Sequence, residues 1–459
     1  MPSIDMASDY DVARDIVENR RDHGLIRAVG PWGFSASVVN IVVGAGIFAV
    51  PGTLAAAVGL YAPLAIAACG IIVGSVAICF AEAGSRVPTS GGAYGYVEAA
   101  FGRFPGYMAG VLVWFTNVLA GGGIAAALAD VAVSVLPPAP NTPASFPPLA
   151  TLTRVAVIVG VLGGIAAINV RGAAQGARFI TVGTALKLIP LAVFVLIGAG
   201  AIHAANFVST VHPTTTGLGR ALILAVFAFT GMETSLGAGG EVMQPARNIP
   251  RGLALALLCV AGLYMAIQLI AQGMLGPALA HSTVPLAEAM GTISPALRLL
   301  MLAGAAVSML FWLGSDVLGS PRILFGMARD GLLPGILGRV HPRNHVPHIA
   351  ILCHAAIGMA LALTGSFAEL AVLSTLAVAP LYMASCAAAL VLKRRQVAYA
   401  GRPLDFPALG VAATIGISGM TIMIALASRS EILGLFAVLA LCALAYAVHT
   451  RLAAGGGIG

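Results

Sequence analysis

The stretch VVGAGIFAVPG, Val42 to Gly52, lies inside an apolar run that otherwise has the makings of a membrane-crossing helix. Glycine weakens a helix interior by about 1 kcal/mol relative to alanine, and this stretch carries two glycines one residue apart, followed by Pro51. Unpaired backbone at membrane depth is tolerated only where it lines protein or water. The stretch therefore has two readings: close packing of small residues against a neighbouring helix, or an unwound point at a polar cavity.

The rest of the chain fixes the setting. Over 459 residues, 59% are hydrophobic and only 9% charged, which excludes an ordinary soluble protein. About 20 helical residues cover the hydrocarbon core of a bilayer. Apolar segments of that order run over 33–52, 59–83, 94–134, 151–169, 178–201, 218–238, 252–275, 296–326, 347–364, 367–392, 407–427 and 431–451. The expected fold is thus an all-α polytopic membrane protein of about twelve transmembrane helices. The segments 94–134 and 296–326 exceed one span, so they are expected to tilt steeply or to run on into the cytoplasm as helix. A barrel is excluded, because barrel strands alternate apolar and polar residues whereas these runs are continuously apolar.

Charge sets the orientation. Of the 24 Lys and Arg, only Arg154, Arg220, Arg298 and Arg429 fall on one side and Lys187 within a span, while the remainder lie in the alternate set of connections. The positive-inside rule then places both termini in the cytoplasm of a cell whose inner membrane the chain spans many times. Residues 1–31 carry Arg14, Arg20, Arg21 and Arg27 among several acids and do not resemble a cleavable signal. The net charge of +7 follows from this topology and calls for no nucleic-acid partner. Cys69, Cys79, Cys259, Cys353, Cys386 and Cys442 all lie in apolar segments without metal-ligand spacing and read as small core residues. His203, His212 and His281 fall on the outward side, and His341, His345 and His348 form a loose inward group; no metal and no cofactor is expected. The longest outward connection, PPAPNTPASFPPLAT, is a proline-rich linker, so function must lie within the membrane.

The sixth span decides between the two readings of the first. It carries AVFAFTGMETSLGAGGEV, Ala225 to Val242, with Gly231 beside Thr230 and an acid, Glu233, at mid-depth. Interrupted segments in corresponding positions of two halves are the sequence pointer to a secondary transporter built of inverted repeats. Spans one and six are five apart, so residues 32–201 and 218–392 are expected to form the two repeats. The loop 393–406, the peripheral spans of 407–451 and a cytoplasmic tail, 452–459, complete the chain. A broken helix offers free N–H groups at the start of its second half and free carbonyls at the end of its first. A zwitterionic amino acid matches both, its carboxylate against the amides of Gly44 to Ile47 and its ammonium against carbonyls of the two broken spans.

Four motifs then carry a resemblance. VVGAGIFAVPG, AEAGSRVPTSGGAYGYVEAAFG (Ala81 to Gly102), FAFTGMET with EVMQPARNIPRG after it, and GSPRILFGMARDGLLP (Gly319 to Pro334) together resemble amino-acid permeases of the amino acid, polyamine and organocation (APC) superfamily. The resemblance implies a LeuT-like core of five plus five helices, a site between spans 1, 3, 6, 8 and 10, and alternating access. It implies that Ala45 and Gly46 bind the substrate carboxylate, that carbonyls of Val42, Phe227, Ala228 and Thr230 take the ammonium, and that Phe227 and Phe229 are gating aromatics. One branch of the superfamily works with a single-span subunit joined through a cysteine. No cysteine here lies in an outward loop, so no accessory subunit is expected; the partners are substrate, protons and membrane lipids.

Individual polar residues carry further expectations. Lys187, in GTALKLIPLAVF, is an ionisable group deep in a span and so a functional residue by default. An amine held out of water can exchange a proton as its surroundings open and close. In the permeases it resembles, a lysine on this span stands where related transporters hold sodium and is linked to proton coupling, so no sodium site is expected. Glu233 either senses protons or hydrogen-bonds a loosened backbone. Asp316, in FWLGSDVLGSPR, could meet a cationic substrate side chain, pair with an internal Arg or Lys, or bind a proton. Asn117 and Tyr382 could reach the pocket, with Gly121 to Gly123 leaving room, although each could equally bond a neighbouring helix. Arg322, Arg329 and Asp330 read as a cytoplasmic hinge or ion-pair network.

A transporter accounts for these features better than the other classes. A membrane enzyme needs a nucleophile, base and orienting group or clustered metal ligands, and a channel needs a pore loop or charged ring; none is visible. Proton-coupled, sodium-independent amino-acid uptake is the first expectation, and exchange of a cationic amino acid for its amine or for another amino acid the second.

Overall fold

The computed structural model describes residues 29–44, 46–87, 92–136, 149–171, 176–207, 213–236, 242–399 and 402–455. Ala45, His212, most of the expected N-terminal segment, Pro88 to Gly91 of the second motif, most of the proline-rich linker and the end of the tail lie outside them. The regular secondary structure of the described residues is helical, with one isolated parallel bridge between Val29 and Val242.

The first span is two helices, α1 (Pro31–Val42) and α2 (Gly46–Val58). Pro31 opens α1, where its missing N–H and fixed φ fit the first helical turn. A short turn leads into α3 (Ala62–Arg86). The long segment 94–134 is divided: α4 (Gly92–Phe101) and α5 (Arg103–Val133) meet at Gly102, whose φ of +90° ends one helix and redirects the chain. There follow α6 (Leu149–Arg171) and α7 (Gly176–Gly198). The sixth span is again two pieces, α8 (Thr215–Phe229) and α9 (Met232–Leu236). Then come α10 (Pro245–Leu275), a short α11 (Pro285–Gly291), α12 (Pro295–Gly319) and α13 (Pro321–Arg329). The chain ends with α14 (His348–Thr364), α15 (Phe367–Arg394), α16 (Leu409–Ala425) and α17 (Arg429–Gly455). Between α12 and α13, Ser320 keeps helical dihedrals and its N–H reaches the Asp316 carbonyl at 2.8 Å, so the helical path continues from one into the other.

Eight helical stretches among the described residues are long and apolar enough to cross a bilayer, and Leu186–Ala201, His348–Thr364 and Leu409–Ala425 are shorter apolar helices. The molecule is an all-helical, polytopic membrane protein. α5 lies at its centre, packed by α15, α14, α12, α6 and α4, while α10 covers α1 and α3, and α2 lies on α8. Lipid is as apolar as leucine, so close backbone approach rather than hydrophobicity joins such helices. α5 supplies it through Gly121 to Gly123: a Cβ on Gly122 would lie 3.2 Å from the Gly358 carbonyl oxygen of α14.

The cysteine expectation needs correction. Cys69, Cys79 and Cys386 are buried, whereas Cys353 and Cys442 are partly exposed and Cys259 is exposed on α10. In a membrane the outer faces of helices are as apolar as the inner ones, so hydropathy does not report burial.

The end of the bundle that carries Arg86 is clasped. Arg86 is fully buried; its Nε donates to Glu82 Oε1 at 2.8 Å, its Nη1 to the Val397 carbonyl at 3.0 Å, and it pairs with Asp405. The other Glu82 oxygen accepts the Phe406 N–H at 2.9 Å and Ser85 Oγ accepts that of Leu404 at 3.0 Å. The 393–406 connection is thereby held against the end of α3. Nearby, Tyr94 of α4 donates to Asp330 Oδ2 at 3.4 Å, Arg103 to the Asp330 carbonyl at 3.3 Å, and Arg329 stands over the Phe325 ring. These contacts tie α13 to the α4–α5 corner. His341 and His348 stack edge-on with centroids 5.2 Å apart.

Candidate functional site

The break in the first span leaves the last carbonyls of α1 without the donors a continuing helix would supply. The chain turns tightly, with Val43 N–H to Val39 O and Gly44 N–H to Val42 O, both at 2.8 Å. Side chains from three other helices meet the remaining carbonyls. Lys187 of α7 donates to the Asn40 carbonyl, Trp312 Nε1 of α12 to Ile41 at 3.2 Å, and the Tyr264 hydroxyl of α10 to Val42 at 2.8 Å. Ser308 of α12 reaches the Gly44 carbonyl at 3.4 Å. The unwound conformation is thus built into the surrounding helices.

The second break has its own cause. Thr230 is extended and its hydroxyl donates to the Phe227 carbonyl at 2.7 Å, and Gly231 follows with φ +112°. A Cβ on Gly231 would lie 2.6 Å from Ile41 Cγ2, so glycine is required both by the dihedral and by the approach of the two breaks. The buried Glu233 carboxylate accepts the Gly231 N–H at 3.1 and 3.2 Å and the Tyr382 hydroxyl at 2.7 Å. It caps the second half of the span, an anion at a helix start.

A cavity lies where the breaks meet. Of the residues singled out in the sequence, Val42, Gly44, Gly46, Asn117, Phe227, Ala228, Thr230 and Glu233 line it, together with Thr116 and Trp312. Ile47 is buried outside the lining. Tyr382 stands behind Glu233 with its ring edge-on to Phe80, and Phe229 turns away to pack on Tyr264. Lys187 lies behind α1 rather than in the cavity. Phe227 meets Phe367 at the start of α15, with centroids 5.6 Å apart and planes at 79°. Beyond that pair is a larger cavity between α2, α5, α11, α12 and α15, at whose rim Asp130 pairs with Arg154.

Asp316 belongs to a second compartment that shares Ile41, Asn117 and Trp312 with the first and adds Asn40, Thr234 and Ser315. Its Oδ1 accepts from Ser320 Oγ at 2.5 Å and its Oδ2 lies 3.0 Å from His354 Nε2 of α14. A Cβ on Gly121 would stand 2.7 Å from Oδ2, so the glycine run makes room for this carboxylate. The partner is a histidine, not the Arg or Lys the sequence offered. His354 escaped notice although it is a lone ionisable residue in an apolar run, the signal that singled out Lys187. Tyr264, Trp312 and Ser308 were also missed, because a polar side chain serving a broken helix is indistinguishable in sequence from one bonding a neighbour. Among the described residues no group of three or more His, Cys, Asp or Glu could hold a metal ion.

A helical bundle of this kind, with two broken helices converging on a buried polar cavity, defines a polytopic transporter. The chain belongs to the amino acid permease family of the APC superfamily, which matches residues 29–449. It is 32% identical over 435 residues to an uncharacterized transporter of Mycobacterium tuberculosis, covering 92% of this chain and 91% of that one. It is 28% identical over 419 residues to the serine/threonine exchanger SteT of Bacillus subtilis, covering 88% and 92% of the two chains. It is 27% identical over 337 residues to the methylthioribose transporter of the same organism, covering 71% and 72%.

Proposed function

We propose that this permease is a secondary active amino-acid transporter that works by alternating access and takes up its substrate with protons and without sodium. The observation that carries the reading is the meeting of two broken helices at one cavity. The amides from Gly44 to Ile47, Ala45 and Gly46 foremost, would hold the carboxylate, and carbonyls of Val42, Phe227, Ala228 and Thr230 the ammonium. Phe227 against Phe367 would close the site on one side.

The fold proposed is twelve spans, two inverted repeats over 32–201 and 218–392, and two peripheral spans over 407–451, with both termini cytoplasmic in an inner membrane. The Arg86 clasp is then at the cytoplasmic end. Lys187 and Glu233 would carry the proton coupling: the Lys187 ammonium at the Asn40 carbonyl supports a site where a positive charge is part of the protein, and no sodium is needed there.

The second reading is exchange of one amino acid for another, favoured by the likeness to a serine/threonine exchanger over most of the chain. Uptake into empty vesicles under an inward proton gradient supports the first reading. Transport only into substrate-loaded vesicles supports the second, and no movement of any amino acid under either condition overturns both.

A further inference from the structure

Far from the breaks, at the end of the bundle that carries Arg86, the connection between α13 and α14 forms a face of one charge. From Gly331 to Ala368 the chain has no Asp or Glu, and α6, whose end this connection meets, has none either. Arg86 at the same end is neutralised by Glu82 and Asp405. Arg171, Arg339 and Arg343, by contrast, are exposed and make no ion pair among the described residues. A cytoplasmic end calls for cations, but not for three of them to go without acids around one connection.

The face is built by specific contacts. Asn344 Nδ2 donates to the Val170 carbonyl at 2.8 Å, which sets Arg343 and Arg171, the chain neighbours of these two residues, at one rim. His341 Nδ1 accepts the N–H groups of Arg343 and Asn344, both at 3.3 Å, and its own N–H reaches the Val346 carbonyl at 2.8 Å. Val346 is buried with Ala166 of α6 and Ile351 of α14, so the connection is seated on both helices. Next to the rim the surface turns apolar. Ile168, nearly one turn before Arg171 on α6, is 66% exposed, and Leu352, about one turn into α14, is 52% exposed. These two helices pack against each other. Ile336 and Val340, on either side of Arg339, are exposed as well.

We propose that the rim made by the end of α6 and the connection before α14 binds the phosphate of an anionic phospholipid in the cytoplasmic leaflet, with Arg171 and Arg343 as its principal ligands and Arg339 as a further contact. A guanidinium presents a planar fork of donors that matches phosphate oxygens, and basic pockets between spans on the cytoplasmic side suit acidic headgroups. The acyl chains then lie along the faces of α6 and α14 that carry Ile168 and Leu352. A soluble polyanion would meet the same charges but gain nothing from those apolar residues. The leaflet follows from the proposed topology; the binding itself does not depend on what the protein transports.

The test is a thermal-shift titration of the detergent-purified protein, without substrate, against dioleoyl phosphatidylglycerol, dioleoyl phosphatidylcholine and inorganic phosphate. Phosphatidylglycerol is expected to raise the melting temperature saturably, and the other two to raise it little at the same concentrations. Arg171→Gln with Arg343→Gln should weaken the phosphatidylglycerol response by about tenfold or more. Arg394→Gln with Arg402→Gln removes the same charge from exposed positions elsewhere at this end and should leave the response as it is. Phosphatidylcholine acting as strongly as phosphatidylglycerol overturns the headgroup site, and inorganic phosphate acting as strongly makes it a site for free phosphate rather than lipid. Equal losses in the two double variants overturn it too, since they would show general attraction to the charged end. The three wild-type titrations decide even if a variant does not fold. Uptake of amino acids is read separately, so failure of the lipid site leaves the transport reading standing, and failure of transport leaves the lipid site.

Discussion

Lys187 and Asn40 are separated by 147 positions in the chain, yet the Lys187 ammonium donates to the Asn40 backbone carbonyl, three residues before the chain leaves the helix at Val43. An amine on one span thus takes the place of a backbone N–H on another. The contact couples whatever changes the amine to the conformation of the first break, because a neutral amine is a far poorer donor to a carbonyl than an ammonium.

Lys187→Ala is therefore expected to keep substrate binding and to lose the dependence of uptake on an inward proton gradient. Binding by thermal shift and uptake into vesicles at several external pH values read the two separately. Proton-driven uptake equal to that of the wild type would remove Lys187 from coupling.

At the second break, Gly231→Ala should lose both stability and transport. Its φ of +112° costs an alanine about 1 to 2 kcal/mol, and the new Cβ would stand 2.6 Å from Ile41 Cγ2. Adding Ile41→Ala relieves the contact but not the dihedral, so the double variant should recover part of the melting temperature. Full recovery would show that only crowding matters there, and no recovery that only the dihedral does.

These residues also show what the sequence could and could not disclose. The two breaks were legible because glycine beside polar residues in an apolar span has few explanations, and Lys187 because a buried charge is costly. Their relation was not: nothing in the sequence places Gly231 on Ile41 or Lys187 on Asn40, since apolar helices pack with little sequence code. Asp316 was visible as an acid, but its partner lies in an apolar helix 38 residues on, and only packing could choose His354 over the basic residues available. The division at Gly102 was hidden for another reason, as glycine is common in membrane helices and its positive φ is not written in composition.

The clasp at the Arg86 end separates buried from exposed charge. Arg86→Leu leaves Glu82, itself fully buried, without its cation, and removing one partner of a buried pair costs about 3 to 5 kcal/mol. Asp405→Asn acts on a side chain that is 53% exposed, where solvent screens the pair and little stability is at stake. Melting curves in detergent should show a large fall for the first and a small one for the second. Equal effects would mean that the connection is held by its backbone hydrogen bonds to Glu82 and Ser85 rather than by charge.

Glu233 is the residue whose two roles can be separated most cleanly. Its carboxylate accepts the Gly231 N–H and the Tyr382 hydroxyl, and the carbonyl oxygen of a glutamine can accept from one or both of these donors. Glu233→Gln should therefore fold and bind substrate nearly as the wild type does, while it can neither take up nor release a proton. If Glu233 shares the coupling with Lys187, the variant retains exchange between substrate-loaded vesicles and loses accumulation driven by a proton gradient. If the carboxylate serves only to cap α9, both activities persist. Tyr382→Phe supplies the control, since it deprives the carboxylate of one donor and leaves its capacity to bind a proton, so it should shift the pH profile of uptake without abolishing the response to the gradient.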